Sequence, residues 1–245
     1  MQPFLSFQQN FRDLGGIPAK DGRKVKPGLL FRSGDFYSLS PDDIGRLEEM
    51  RLATIIDFRA IREITGRPDK TIRTVKEIIE INIHDAAREQ SQKFLSENNA
   101  PGLENLLIGD YTRMIRNHQP DFLKFLDIIA NTVNLPLVFH CAAGKDRTGL
   151  AAVFLLSALG VEMEPIREDY MATNKFAAAF IEKIIKKVND SGLNGAILRP
   201  LLEVRAAYLD AALEEILNYS VSLDAFVTDI LKADKKKLQE KYLEN

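Results

Sequence analysis

The sequence has 245 residues, a net charge of −2 and an apolar fraction of 45%, which excludes a disordered chain and a strongly basic nucleic-acid-binding protein. Its length is sufficient for one hydrophobic core. One cysteine excludes an intrachain disulfide framework and the usual zinc site with several cysteines.

The first half of the sequence alternates predicted strands and helices. Glycine and proline are frequent in residues 1–35, which predicts turns and short strands, one of them at Leu29–Arg32. A helix is predicted from Pro41, because Ser40 is a good N-cap and proline suits the first helical position. Residues 53–58 and 77–83 are rich in β-branched residues and predict two further strands. This order of elements indicates an α/β protein.

The remaining chain is predicted to be mainly helical. Residues 86–133 should form helices broken at Pro101 and Pro120, with apolar stripes over 103–115 and 122–129 that face the core. A strand that ends before Cys141 and an apolar helix over 148–159 follow. Further helices are predicted at 165–173, 175–188, 201–217, 223–231 and 234–243. No linker or repeat divides the chain, so we expect one domain covering residues 1–245.

The most informative segment connects an apolar strand to an apolar helix through a short loop. Such a loop directs its backbone N–H groups to one point at the positive end of a helix, which favours an anion. Cys141 begins the loop, and this setting favours an ionised, nucleophilic sulfur. Arg147 would grip two phosphoryl oxygens, while Thr148 would stabilise the sulfur as a leaving group. The predicted phosphate-binding residues are Ala142, Ala143, Gly144, Lys145, Asp146 and Arg147.

The loop resembles the His-Cys-x5-Arg-Ser/Thr signature of the cysteine-dependent protein tyrosine and dual-specificity phosphatases. The longer string His140–Gly149 is similar to a bacterial family within them, known from mycobacterial and Listeria phosphatases. Asn10–Gly16, Phe31–Gly34, Asp57–Arg59 and Asp169–Asn174 are similar to the same family. The resemblance implies a central, largely parallel sheet flanked by helices, a helix-rich C-terminal half and hydrolysis of phosphomonoesters.

The sequence leaves the general acid open among three aspartates. The resemblance favours Asp146, inside the loop. Asp57 and then Asp85 follow, because each comes directly after a predicted strand. Lys145 adds positive charge, and the same Gly-Lys spacing occurs in phosphoinositide phosphatases, so the resemblance implies lipid phosphates as well as phosphoproteins. Arg59 is a further candidate for contact with the substrate.

Other predictions concern the support of the loop and its cover. Arg12 with Asp13, and Arg59 with Asp57, are predicted to form internal ion pairs that brace the loop. The ring of His140 is expected to bond to the backbone and hold the loop. Residues 176–197 carry much apolar surface, and similar proteins have a mobile helical lid there. A lid over Cys141 and a permanently packed helix both remain open.

The preferred function is a metal-independent phosphatase that acts on phosphoproteins or phosphoinositides through a cysteinyl-phosphate intermediate. Two alternatives are a catalytically silent phosphate-binding module of the same fold and a rhodanese-like sulfurtransferase. The intact Cys141, Asp146, Arg147 and Thr148 disfavour the silent module, and the Arg147–Gly149 continuation disfavours sulfur transfer. We expect no cofactor, no nucleic acid partner and no integral membrane segment. Without a signal peptide pattern at the N-terminus, we expect a cytoplasmic protein, and secretion by a route without a recognisable leader stays open.

Overall fold

A five-stranded sheet lies at the centre of the computed structural model, which describes residues 10–84 and 86–244. The strand order is β1-β2-β5-β3-β4. Only β1 runs antiparallel to its neighbour, so the expected α/β architecture with a largely parallel sheet is confirmed. The strands are β1 (Arg12–Asp13), β2 (Leu30–Ser33), β3 (Thr54–Asp57), β4 (Glu77–Glu80) and β5 (Leu137–His140).

The three inner strands end in register at one edge of the sheet. His140 at the end of β5 pairs with Ser33 of β2 and with Asp57 of β3. Segments that follow these strands therefore meet at the carboxyl edge, where open parallel sheets bind their ligands. The chain's cysteine is the first residue beyond β5.

Helices cover both faces of the sheet and make up most of the second half of the chain. Proline occupies the first turn of α1, as predicted. It also occupies the first turns of α4 and α5, where the sequence predicts breaks at Pro101 and Pro120. The helices are α1 (Pro41–Glu49), α2 (Ile61–Gly66), α3 (Ala86–Ser96), α4 (Ala100–Asn117), α5 (Gln119–Asn131), α6 (Arg147–Ala158), α7 (Met163–Asp190), α8 (Arg199–Leu202), α9 (Ala206–Ile216), α10 (Leu223–Ala225) and α11 (Lys235–Tyr242). A 3₁₀ turn spans Gly195–Leu198, and a π-helical turn spans Phe226–Ile230.

Alternate residues of each inner strand enter two different cores, as expected for a sheet covered on both faces. In β5, Leu137 and Phe139 join the larger core and Val138 joins the smaller one beneath α1. Every residue of α6 is buried, so the predicted central apolar helix is confirmed. The predicted stripes at 103–115 and 122–129 also lie in the core.

The structure differs from the predicted helices around Asn174. The sequence indicates separate helices on either side of it, whereas α7 continues through it. The side chain of Asn174 donates to Val204 O and accepts from Val204 N, both at 2.8 Å. The amide group therefore pairs with another segment and leaves the helix intact. The same two bonds occupy the backbone of Val204, and the predicted helix at 201–217 is interrupted there.

Two further observations concern the lengths of the helices. The short helix α2 has no counterpart in the sequence prediction, because six residues are too few for a clear helical period. Among the described residues, none of the helices is both long and apolar enough to traverse a lipid bilayer.

Candidate active site

The loop of residues 141–146 connects the central strand β5 to the N-terminus of α6. Cys141 is 2% exposed and lies at the carboxyl edge of the sheet. Because α6 begins at Arg147, the loop faces the positive end of a 12-residue buried helix. The predicted strand–loop–helix arrangement is therefore present.

Hydrogen bonds from β2, from the segment after β2 and from the segment before β1 hold two carbonyl groups of the loop. Ala142 O accepts from Asp35 N at 3.0 Å. Gly144 O accepts from Arg32 Nη2 at 3.0 Å and from the side-chain amide of Asn10. Since C=O and N–H point in opposite directions across a trans peptide, the following amides are directed to the other side of the loop. Within residues 10–84 and 86–244, no hydrogen bond uses the N–H groups of residues 142–146.

Gly144 allows the loop to approach β2 this closely. Its φ of +67° lies in the left-handed region, which glycine adopts without steric cost. A Cβ atom at this position would lie 2.3 Å from Ser33 O. Any other residue would therefore push the loop away from β2.

A buried group of two arginines and one aspartate lies behind the loop. Arg12 Nε bonds to Asp169 Oδ1 at 2.7 Å, and Arg32 bonds to Asp169 Oδ2. Burial and the neighbouring Arg32 charge lower the pKa of Arg12 to about 10. Burial opposes ionisation of Asp169, but the two guanidinium charges outweigh it and hold the pKa of this carboxyl below its usual range.

The predicted Arg12–Asp13 ion pair is therefore wrong. Asp13 instead accepts hydrogen bonds from the backbone N–H groups of Gly15 and Gly28. Carboxylates of aspartate readily satisfy nearby backbone donors in turns. Arg12 finds its partner on a distant helix, which no local pattern indicates.

A second buried network surrounds His140, the residue before the cysteine. Its Nδ1 lies 3.1 Å from Cys141 O, so the predicted backbone bond is confirmed. Its Nε2 lies 3.2 Å from Asp69 Oδ2 and 3.9 Å from Asp57 Oδ1, as ionic contacts without the alignment of a hydrogen bond. Burial favours the neutral ring, but these carboxylates outweigh it and raise the pKa of His140 to about 9.

Arg59 supplies the second cation of this network. Its guanidinium bonds to Asp57 and to Asp69, each at 2.7 Å, so the predicted Arg59–Asp57 pair is confirmed. Asp57, Asp69 and His140 together have the donor atoms for a metal ion. Arg59 already pairs with both carboxylates, so their negative charge is balanced by a side chain of this protein.

Arg147 is bound by a glutamate of α2. Its two terminal nitrogens bond to the two carboxylate oxygens of Glu63 at 2.6 and 2.9 Å. Glu63 Oε2 also accepts from Ala60 N at 3.0 Å, which fixes the carboxylate at the start of α2. The guanidinium fork faces Glu63 in this structure, so it must turn or share a nitrogen to grip a phosphoryl group.

Asp146 lies at the rim of the loop, with its side chain 20% exposed. Its Oδ1 accepts from Lys145 Nζ at 2.8 Å and from the hydroxyl of Tyr111 at 2.8 Å. Lys145 itself is buried. Tyr111 in turn accepts a hydrogen bond of 2.8 Å from Tyr170.

The predicted site residues occupy three positions around the loop. Residues 141–146 form the loop itself, whereas Asp57 and Arg59 belong to the ion network around His140, and Arg59 also lines the cleft beside the loop. Thr148 is the second residue of α6. Among the described residues, its buried hydroxyl has no hydrogen-bond partner and so makes no hydrogen bond to the sulfur of Cys141. Asp85, the third candidate acid, falls outside the described residues.

A cleft of about 750 Å³ opens beside the loop. Basic side chains predominate on its wall, with Glu63 and Asp35 as the acidic ones. The lining residues include Asp35, Arg59, Arg62, Glu63, Arg67, His84 and Ala142. A substrate whose phosphoryl group enters the loop would extend across this wall.

Three residues of the site were missed by the sequence prediction. Tyr111 lies in an apolar stripe, where a tyrosine is usually a core residue. Glu63 and Asp69 lie in segments without a local pattern. The resemblance already covers Asp169–Asn174, so it could have drawn attention to Tyr170.

Comparisons with known proteins cover nearly the whole sequence. The sequence model of the tyrosine phosphatase family matches residues 5–244. A Cupriavidus necator protein whose name places it among the tyrosine-protein phosphatases is 31% identical over 247 residues, covering 96% of this chain and 85% of that protein. The triple specificity protein phosphatase PtpB of Mycobacterium tuberculosis is 26% identical over 257 residues, covering 90% of each chain.

Two solved structures also show similarity. The core catalytic domain of the PP-IP phosphatase SIW14 from S. cerevisiae has a TM-score of 0.38 and 16% identity, covering 76% of this chain and 96% of that chain. P. aeruginosa TpbA has a TM-score of 0.32 and 16% identity, covering 71% and 89%. Both TM-scores are too low to support a conclusion.

Proposed function

Since the chain belongs to the tyrosine phosphatase family, we propose that it hydrolyses phosphomonoesters of proteins and inositol lipids through a cysteinyl phosphate on Cys141. It is a cysteine-dependent phosphatase of the protein tyrosine phosphatase type. One observation carries the proposed mechanism. Cys141 precedes five backbone N–H groups, at residues 142–146, that bond to nothing in the described part of the chain. Such preorganised donors stabilise charge on the oxygens of a transferring phosphoryl group.

In the first step the thiolate of Cys141 attacks phosphorus. A sulfur–phosphorus bond forms, the bond between phosphorus and the leaving oxygen breaks, and Asp146 gives that oxygen a proton. The loop amides bind the equatorial oxygens together with Arg147, once its guanidinium turns from Glu63. A planar fork suits this task because it offers two parallel donors.

In the second step a water molecule attacks the phosphorus of the cysteinyl phosphate. Asp146 accepts a proton from the water, the sulfur–phosphorus bond breaks, and inorganic phosphate is released. The unpartnered hydroxyl of Thr148 supports a role as donor to the departing sulfur, because a buried hydroxyl without a partner is costly.

The contacts of the two described candidates favour Asp146 over Asp57 as the acid. Only Oδ1 of Asp146 accepts hydrogen bonds within the described residues, so Oδ2 is available to a leaving group. Asp57 is buried and held through both oxygens by Arg59. Asp146→Asn should therefore slow phenyl phosphate more than an activated aryl phosphate. An equal loss on both substrates would move the acid role to Asp57 or Asp85.

The breadth of substrates is proposed from charge and from the name of the triple specificity relative. Lys145 is buried beside the loop, and Arg62 and Arg67 line the adjoining cleft. These cations favour substrates that carry further negative charge. Lys145→Ala should lower turnover of inositol lipid phosphates more than that of phosphotyrosine peptides. An unchanged ratio between the two substrates would remove the lipid substrates from the proposal.

Replacement of the nucleophile tests the mechanism directly. Cys141→Ser should abolish phosphate release and retain binding of inorganic phosphate by titration calorimetry, with an unchanged circular dichroism spectrum. Iodoacetate should also alkylate wild-type Cys141 at about pH 6 faster than a simple peptide thiol. Residual turnover near the wild-type rate would contradict the mechanism. Phosphate binding by a wild-type protein that releases none from any substrate would support the silent module.

The proposal includes one domain over residues 1–245 with a helical lid at about 176–197. Ala177, Ile181 and Ile185 of α7 pack with Leu202 in a cluster separate from the main core. A segment with its own small cluster opens at low free-energy cost. Hydrogen exchange should therefore be faster at 176–190 than in the preceding turns of α7. Uniform strong protection of residues 176–197 in the free enzyme would contradict a lid.

A further inference from the structure

Two buried tyrosines form a chain of hydroxyl groups that ends on Asp146. Tyr170 donates to Tyr111 and Tyr111 donates to Asp146 Oδ1, both at 2.8 Å. Both tyrosine side chains are inaccessible to solvent. The two rings meet edge to face, with centroids 6.3 Å apart and an interplanar angle of 89°. Helix α4 thus connects the rim of the loop to α7.

The start of α6 is shaped to admit this pair. A Cβ atom at Gly149 would lie 3.2 Å from the ring of Tyr170, which is closer than most side-chain contacts. The glycine after Thr148 therefore gives Tyr170 its place over the first turn of α6. A phenylalanine ring would fill the same space without a buried polar atom. A buried hydroxyl needs a hydrogen-bond partner, so the two tyrosines are explained by the hydrogen bonds that they make.

We propose that Tyr111, supported by Tyr170, is a positioning residue that holds Asp146 with Oδ2 directed to the leaving group of the substrate. This inference rests on the proposed role of Asp146 as general acid. Tyr111 and Lys145 both donate to Oδ1, so they fix the plane of the carboxylate and leave the second oxygen for the proton. A carboxylate held by one donor on one side would rotate.

The phenol stays a hydrogen-bond donor throughout the working range of the enzyme. Burial, followed by the charge of Asp146, raises the pKa of Tyr111 well above its ordinary value. Burial likewise raises the pKa of Tyr170. Both hydroxyls therefore keep their protons.

The test is a double-mutant cycle with Tyr111→Phe, Asp146→Asn and the two together, assayed on phenyl phosphate and on an activated aryl phosphate. Tyr111→Phe should lower kcat about tenfold on phenyl phosphate, the effect of one hydrogen bond to a charged acceptor, with KM unchanged. The loss should be below about threefold on the activated substrate, which needs little help from an acid. Tyr170→Phe should show the same selectivity with a smaller loss.

The double variant should be no slower than Asp146→Asn alone, because Tyr111 acts only through Asp146. Tyr242→Phe is the matched control. Its hydroxyl is also buried and bonds to Ile129 O at 2.9 Å, so it loses a similar bond away from the loop. The control should retain the wild-type ratio of the two rates.

The outcomes separate this inference from the proposed function. A wild-type protein without turnover of either substrate would remove the proposed function. Wild-type turnover together with an equal loss on both substrates for Tyr111→Phe would overturn only the positioning role. Additive losses in the double variant would also overturn it. If Asp146→Asn lacks leaving-group selectivity, the acid assignment fails and the positioning role fails with it, while the nucleophilic role of Cys141 stands.

Discussion

Replacement of His140 by asparagine should change how the stability of the protein depends on pH. Asp57 and Asp69 lie 3.9 and 3.2 Å from Nε2 and raise the pKa of His140 from 6.5 to about 9. A raised pKa stabilises the fold below the unfolded value and loses this contribution as the pH rises through the folded value. A tenfold change in proton affinity is worth about 1.4 kcal/mol, so the full contribution is about 3 kcal/mol.

Asparagine can keep the contact with Cys141 O, because its amide nitrogen takes the place of Nδ1, but it carries no charge. The stability advantage of the wild-type protein over His140→Asn should narrow by about 1–2 kcal/mol between about pH 6.5 and about pH 8. Burial lowers the pKa of Lys241 to about 8, so above that pH its titration increases the stability of the fold as the pH rises. Its effect is common to both proteins and cancels in the difference.

Urea denaturation at about 25 °C, followed by far-ultraviolet circular dichroism, measures this difference. The sequence has no tryptophan, so intrinsic fluorescence would be weak. The free energy of unfolding of each protein is needed at several pH values within the window. A difference that stays constant within about 0.5 kcal/mol across the window would refute a charged His140 in the folded state.

Three further substitutions test the packing around the loop. Gly144→Ala would place a Cβ 2.3 Å from a backbone oxygen of β2 and should lower the free energy of unfolding, measured by urea denaturation, by at least about 2 kcal/mol. In the control Gly45→Ala the new Cβ meets nothing within 4 Å, and this variant should stabilise α1. Asp169→Asn leaves two buried guanidinium groups without an anion and should cost about 3–5 kcal/mol, while Asp190→Asn, in an exposed pair, should change the melting temperature little. Ser40→Ala removes the side-chain cap of α1 and should lower the free energy of unfolding by about 1 kcal/mol without loss of phosphatase activity. A clear loss of activity would show that α1 influences the loop.

The sequence predicts the features of this protein that depend on local patterns. The apolar run before Cys141 predicts a buried central strand, and the glycine and arginine after it predict the loop. The stripes of α4 and α5 follow from the helical period. Each of these depends on residues a few positions apart.

The contacts that the sequence does not predict join residues far apart in the chain. Arg12 and Asp169 are 157 residues apart, so the near neighbour Asp13 is the natural but mistaken choice of partner. Tyr111 fits an apolar stripe in the sequence, and the hydrogen bond from its hydroxyl to Asp146 is visible only in the structure. Asn174 interrupts a helix in many sequences, and its pairing with Val204 is visible only in three dimensions.

Contacts from neighbouring segments hold the loop, so we expect its shape to change little when an anion binds. The carbonyl groups of Ala142 and Gly144 accept hydrogen bonds from β2 and from the segment that follows it. The orthophosphate left after turnover has the same tetrahedral form as the group that entered. A loop with a fixed shape binds both groups in the same way, so we expect orthophosphate to inhibit the enzyme as a product. The concentration of orthophosphate would then set the fraction of enzyme that is free to bind substrate.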